Sequence, residues 1–224
     1  MFRDCSRSIE SGMPTYPGDP EVSVSAHATH ESDGYSVQAL RCGSHTGTHV
    51  DAPRHTEPDG ETLDERDVDE WVFEARLVDL APCDPREAID SDAFPSGLGS
   101  DGDRDVDLLV LRTGWEDHWN EPRYRDHPYL TRAFAARCRE AGVGVGLDTF
   151  GPDPTPSVSG TSVEPAADEP TGVPTHHELL GAGLPIVENL RNLASLPERF
   201  TLYAFPLPVR EGDGAPVRAV AEWE

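Results

Sequence analysis

Residues 45–55 read His45-Thr-Gly-Thr-His49-Val-Asp51-Ala-Pro-Arg-His55, three imidazoles and one carboxylate within eleven residues. Imidazole nitrogen and carboxylate oxygen together suit a borderline or hard divalent cation. His49 and Asp51 are two apart, so on an extended strand both side chains point to one face. Gly47 permits a sharp backbone turn that swings His45 back to the same centre. Pro53 stiffens the exit and sets where His55 lands. A carboxylate such as Asp51 has two oxygens and can bridge two ions. Polar residues on a strand and in a turn are the simpler account, but this density of ligand-type side chains, with Gly and Pro between them, favours a metal site.

Outward from this stretch the chain alternates short strands with helices. On the N-terminal side, the loop 1–20 ends in Met13-Pro-Thr-Tyr-Pro-Gly-Asp-Pro20, and two strands follow within 21–43, turning at Ser32-Asp-Gly34. On the C-terminal side, Leu63, Val68, Trp71 and Val72 have loosely helical spacing. Ala75–Leu80 reads as a strand, Ile89–Phe94 as a short helix and Asp107–Arg112 as a central strand. Thr131–Ala141 reads as a helix stopped by Gly142, and Val143–Leu147 as a second buried strand. Residues 151–174, rich in Pro, Gly, Ser, Thr and acid, form a long loop. A short helix at His176–Leu180 capped by Thr175, a strand at Pro185–Glu188 and a closing strand pair at Phe200–Val209 and Val217–Trp223, joined by a Gly-Asp-Gly turn, complete the chain. The expected fold is a mixed α/β layered domain covering residues 1–224.

A second group of ligand-type residues follows the long loop: His176, His177 and then Glu188. Glu188 lies in the apolar run Leu184-Pro-Ile-Val-Glu-Asn-Leu190, where an unpaired carboxylate is costly. A metal or an arginine would each supply its partner. Asp148 and Asp153 could reach the site, since active sites gather at strand ends, but the turn reading is favoured for both. Trp115, Trp119, Tyr124 and Tyr129 form an aromatic group suited to core or dimer packing. No nucleophile elbow or phosphate-binding glycine loop is present.

Forty-two acidic residues face eighteen basic ones, all arginine, for a net charge of −24. Such a field repels nucleic acid and anionic membrane surfaces. The acids are scattered and lysine is absent, which suits a protein working in concentrated salt; an acidic cytosolic protein from a GC-rich genome is the plainer alternative. Cys5, Cys42, Cys83 and Cys138 form no close pair and read as reduced. With no apolar leader and no membrane-length run, a cytoplasmic location is expected.

At His45–His55 the chain resembles the cyclase family of metal hydrolases, which includes bacterial-type kynurenine formamidases. The family signature His-x-Gly-Thr-His-x-Asp-x-Pro-x-His matches at every specified position. Gly12-Met-Pro-Thr-Tyr-Pro-Gly-Asp-Pro20, Arg112-Thr-Gly-Trp115, Gly146-Leu-Asp148, His176-x-x-Leu-Leu180, Ile186-Val-Glu-Asn-Leu190 and Asp213-Gly-Ala-Pro-Val-Arg218 resemble further family motifs in the same order. The resemblance implies a swivelling β/β/α fold with a mixed sheet, a homodimer or homotetramer, and two metal ions per subunit, Zn²⁺ with Mn²⁺ as the alternative. It implies His45, His49 and Asp51 as ligands of one ion and Asp51 and His176 as ligands of the second. Glu188 would bridge or complete both, and the spacing to Glu188 favours His176 over His177. His55 would be the proton donor and acceptor, and Tyr16 stands where formamidases place a substrate-contacting Trp.

The implied activity is hydrolysis of N-formyl-L-kynurenine to L-kynurenine and formate in tryptophan catabolism. A metal lowers the pKa of water towards ~7, and His55 would hand a proton to the leaving amine. Tyr16 in place of Trp, Thr56 where relatives often have an aromatic, and Gly151 where they often have Ser all bear on the substrate and not on the ligands. A related cyclic-amide hydrolase, such as an isatin hydrolase, and a metal-binding protein without turnover are the competing functions.

Overall fold

The runs Leu108–Arg112 and Gly144–Leu147 are apolar at nearly every position because both faces of their strands are covered. Leu108 and Val110 point into one core cluster, Leu109 and Leu111 into another. The computed structural model describes residues 1–98, 105–156 and 163–224. Its strands are β1 (Phe2–Asp4), β2 (Ser23–Ala28), β3 (Val37–Arg41), β4 (His49–Asp51), β5 (Val72–Asp79), β6 (Ala88–Ile89), β7 (Leu108–Arg112), β8 (Tyr129–Leu130), β9 (Gly144–Leu147), β10 (Ile186–Glu188), β11 (Arg199–Tyr203), β12 (Gly214–Pro216) and β13 (Val220–Glu222). The α-helices are α1 (His30–Asp33), α2 (Arg132–Ala141) and α3 (Pro174–Leu180).

Nine of these strands form one mixed sheet in the order β1-β13-β11-β5-β7-β9-β10-β4-β12. The centre is parallel, β5 to β7 to β9 to β10, and the flanks are antiparallel. Ala221 of β13 and Ala215 of β12 lie near opposite ends of that order, yet both pack into the cluster that holds Val50, Val110 and Phe200. The sheet therefore curls around one of its own faces. Helices α2 and α3 cover the other face over Phe134, Cys138, Leu179 and Leu180. The expected mixed α/β layered fold is the observed one. No helix among the described residues is long and apolar enough to cross a membrane.

Several local expectations change. The helical spacing at 61–73 yields two 3₁₀ turns, Leu63–Glu65 and Val68–Trp71. Glu65 accepts from the Thr62 N–H and Glu70 from the Asp67 N–H, so two successive N-terminal caps break one helix into two turns. Residues 88–94 form strand β6 and a 3₁₀ turn at Ser91–Ala93 instead of a helix. Helix α3 starts at Pro174, whose fixed φ suits a first turn, so Thr175 lies inside it and donates its hydroxyl to the Leu130 carbonyl. Loop 1–20 contains the edge strand β1, and the expected turn at 212–214 leads into β12. Of the expected loop 151–174, residues 157–162 lie outside the described residues.

Candidate metal centre

Register brings the two ligand groups together. In the antiparallel pair β4–β10, Glu188 lies opposite His49 and Ile186 opposite Asp51. On the other side, β12 places Gly214 against Asp51 and Pro216 against His49. Gly47 has φ +61°, a turn that returns His45 towards the strand. A Cβ on Gly214 would lie 2.7 Å from His45 Cε1, so that ring requires glycine beneath it.

Each carboxylate turns one oxygen towards each histidine group. Asp51 Oδ1 lies 2.9 Å from His45 Nδ1 and 3.3 Å from His49 Nε2, while Oδ2 lies 3.7 Å from His176 Nε2. Glu188 Oε2 lies 3.2 Å from His49 Nε2, and Oε1 lies 3.2 Å from His176 Nε2. His45, His49 and Asp51 form one set with ligand atoms within 4.8 Å of one another, and Asp51, His176 and Glu188 form another. His45, His55 and Asp213 form a third. Asp213 Oδ2 lies 3.1 Å from His45 Nε2 and 3.8 Å from His55 Nδ1.

Hydrogen bonds behind the rings set which nitrogen faces inward. His49 Nδ1 is 2.9 Å from the Gly47 carbonyl, and His176 Nδ1 is 2.7 Å from Asp153 Oδ2. Both Nδ1 atoms therefore carry a proton, which leaves each Nε2 as the nitrogen that faces the centre. Asp153 also accepts from the Thr175 and His176 backbone N–H groups. The turn reading of Asp153 is thus replaced: it holds a ring of the site in place. Asp148 is structural, accepting from the Thr113 and Gly114 backbones.

Electrostatics fit a cation. His49 Nε2 and Asp51 Oδ2 are fully buried and lack an aligned hydrogen-bond partner. Atoms of this kind, at 3.2–3.7 Å from opposing ligand atoms, are those a bound metal would satisfy. Burial pulls the imidazole pKa values down, but the surrounding carboxylates more than reverse this. Asp213 and Asp51 hold His45 at about 9, and Asp153 and Glu188 hold His176 at about 10. Burial and the charge of Asp51 push Glu188 up, yet His176 and His49 keep it below the usual carboxylate range. The carboxylates stay ionised and demand positive charge, which a divalent ion supplies while leaving the Nε2 lone pairs free to bind it.

The centre opens into a cavity of about 440 Å³ bordered by Tyr16, His55, Phe150, Val173 and His176. Tyr16 packs edge-on to Phe150 at 6.4 Å, and burial lifts its hydroxyl to about 12, so it stays neutral. Phe150 in turn packs on Tyr124 and Trp119. Of the aromatic group expected in core or dimer packing, Trp115 and Tyr124 are buried in one cluster with Trp119 against it, Phe150 carries that cluster to the cavity, and Tyr129 lies outside it. His177 also borders the cavity but pairs with Glu57 at 2.8 Å, and of the two it is His176 that joins a ligand set. A Cβ on Gly151 would lie 2.8 Å from Glu188 Oε1, so the residue that differs from the family's Ser makes room for that carboxylate.

The Cyclase family model matches residues 3–154. The chain belongs to the Cyclase family. A kynurenine formamidase of Salinibacter ruber is 33% identical over 97% of this chain and 95% of that one. In structure, isatin hydrolase A from Ralstonia solanacearum superposes with a TM-score of 0.82 at 21% identity, covering 99% of this chain and 91% of that one. A potential metal-dependent hydrolase with cyclase activity gives 0.72 at 24%, covering 99% and 96%. The first is similar in sequence and the other two in fold.

All seven residues singled out by sequence meet at this one cavity or its floor: Tyr16, His45, His49, Asp51, His55, His176 and Glu188. Sequence reasoning favoured a turn role for Asp153 and did not single out Asp213. Asp213 opens a family motif, which was the one available signal. Asp153 precedes His176 by a long loop, and its place just beyond a strand end was the one signal for it.

Proposed function

We propose that the protein is a metal-dependent arylformamidase that hydrolyses N-formyl-L-kynurenine to L-kynurenine and formate in the kynurenine pathway of tryptophan catabolism. The observation that carries the reading is the pair of carboxylates, Asp51 and Glu188, each offering one oxygen to each histidine group beneath an aromatic cavity. His45, His49 and Asp51 would hold one Zn²⁺, Asp51 and His176 a second, and Glu188 both; Mn²⁺ is the alternative metal. When bound, such ions polarise a carbonyl and make water a nucleophile near neutral pH.

The remaining work falls to the side chains. Tyr16 and Phe150 contact the aryl ring and orient the formamide towards the carboxylates. His55, partly exposed, lies with its ring centroid 3.9 Å from that of His45 and tilted 42° to it, with Asp213 beside its Nδ1. Water adds to the formyl carbon and gives up a proton to His55; the C–N bond then breaks, and His55 passes that proton to the aryl amine nitrogen.

The proposal extends to a cytoplasmic homodimer or homotetramer adapted to concentrated salt. Tyr35, Val37 and Leu40 on and beside the β2–β3 hairpin are exposed apolar residues suited to a subunit contact. The test is formate release from N-formylkynurenine by metal-loaded protein in concentrated KCl, with isatin in parallel. Turnover of the formamide supports the reading. Turnover of isatin alone moves the assignment to a cyclic-amide hydrolase, and turnover of neither leaves a metal-binding protein.

A further inference from the structure

Glu188 is followed by a residue that borders the same cavity and has no role in the scheme above. Asn189 is 2% exposed and adopts φ +57°, in the left-handed region. Its backbone is locked on both sides: its N–H donates to the Thr149 carbonyl at 3.0 Å, and its carbonyl accepts from Thr48 Oγ1 at 2.8 Å. Its side chain is held at one end, where Oδ1 lies 3.0 Å from the buried Tyr124 hydroxyl. With Oδ1 on Tyr124, Nδ2 is the end turned away. Nδ2 donates to no described residue, and it is not among the fully buried atoms that lack a partner. The open space that Asn189 borders is the cavity beside Glu188.

We propose that Asn189 is a catalytic residue: Nδ2–H donates a hydrogen bond to the carbonyl oxygen of the scissile amide. The bond strengthens as that oxygen gains negative charge during attack, and a donor already held in place by Tyr124 needs little reorganisation. The role rests on the hydrolase reading of the cavity. The simpler account is that asparagine stands here only because it tolerates positive φ at the end of β10.

Glycine separates the two accounts, since it adopts φ +57° as easily and removes only the side chain. Asn189→Gly is expected to keep its metal content and thermal midpoint, change KM little and lose about 10²–10³-fold in kcat. Asn189→Asp, which can still accept from Tyr124 but offers no N–H, is expected to lose as much. Tyr124→Phe keeps the donor and releases its anchor, with a smaller loss of about tenfold from misplacement. Wild-type kcat in the glycine variant overturns the proposal and leaves the turn role. Tyr124 has one proton for two acceptors, the other being the Asp148 carbonyl at 2.9 Å. If that proton sits on Asp148, the amide is reversed, and an active aspartate variant beside an inactive glycine variant would overturn the donor role. A metal-loaded wild type inactive on both N-formylkynurenine and isatin removes the hydrolase reading itself and this role with it. An active wild type matched by an equally active glycine variant removes this role alone.

Discussion

The two walls of the cavity are built from different material. One is strand: His49, Asp51 and Glu188 sit in register on β4 and β10, nearly without solvent contact, with ring orientations fixed by Gly47 and Asp153. The other is loop: Tyr16, Thr56, Phe150 and Val173 come from three separate connections, and Tyr16 and Phe150 rest on the Trp115–Tyr124 aromatic group. The departures from the family pattern, at Tyr16, Thr56 and Gly151, all line this cavity, and none is a proposed ligand. On the proposed function, reaction class and substrate choice are carried by separable parts of the chain.

The sharpest way to break this division is His55, which belongs to neither wall. It lies at the mouth, and His55→Ala should lower kcat by about 10²–10⁴-fold while metal content stays at the wild-type level. Loss of metal in that variant would place His55 in the metal wall, with His45 and Asp213, and remove its proton-transfer role.

The loop wall can be challenged through acid. His127 is buried behind Phe150, with Nδ1 at 2.8 Å from the Pro128 carbonyl and Nε2 at 2.9 Å from Thr155 Oγ1. Burial lowers its pKa to about 4. A folded pKa below the unfolded value of ~6.5 means that the unfolded chain takes up the proton first as pH falls. The contribution of neutral His127 is therefore fully present above pH ~6.5 and is lost as pH drops towards 4, at most on the order of 3 kcal/mol. Denaturation midpoints of the wild type and His127→Gln across that window should converge as pH falls. Parallel curves would show that His127 does not govern the acid response.

Asp153 sharpens the comparison from the metal side. Asp153→Ala frees His176 Nδ1 and should weaken metal affinity by about 10–100-fold, measured by competition with a chelator, with little change in KM once the site is loaded. An unchanged affinity would reduce Asp153 to a cap of α3. Least of all should change with Tyr16→Trp. A larger ring on the loop wall should shift KM by no more than about tenfold and leave kcat and metal content alone. A collapse of kcat would mean that the walls are not independent.

This contrast also governs what could be read from the sequence. The strand wall was legible because its ligands are packed into one short run whose two-residue spacing fixes a shared face. The apolar setting of Glu188 advertised an unmet charge. The central strands β7 and β9 and helix α2, with Thr131 and Gly142 at its ends, were legible for the same local reasons. What was hidden depends on contacts between distant segments. Asp153 reaches His176 across a loop, Asp213 reaches His45 from 168 residues away, and Asn189 owes its orientation to Tyr124. The helical pattern at 61–73 misled because hydrophobic spacing says nothing of the second cap at Asp67.

The central claim is that the strand run and Glu188 form a two-metal site that drives the hydrolysis. It is tested most directly by titrating metal-free protein with Zn²⁺, and in parallel Mn²⁺, following bound metal and N-formylkynurenine turnover in the same samples. The account predicts saturation near two ions per chain, turnover that rises with occupancy, and loss of both in Asp51→Ala. Turnover that persists without metal, or saturation that Asp51→Ala leaves untouched, would contradict it.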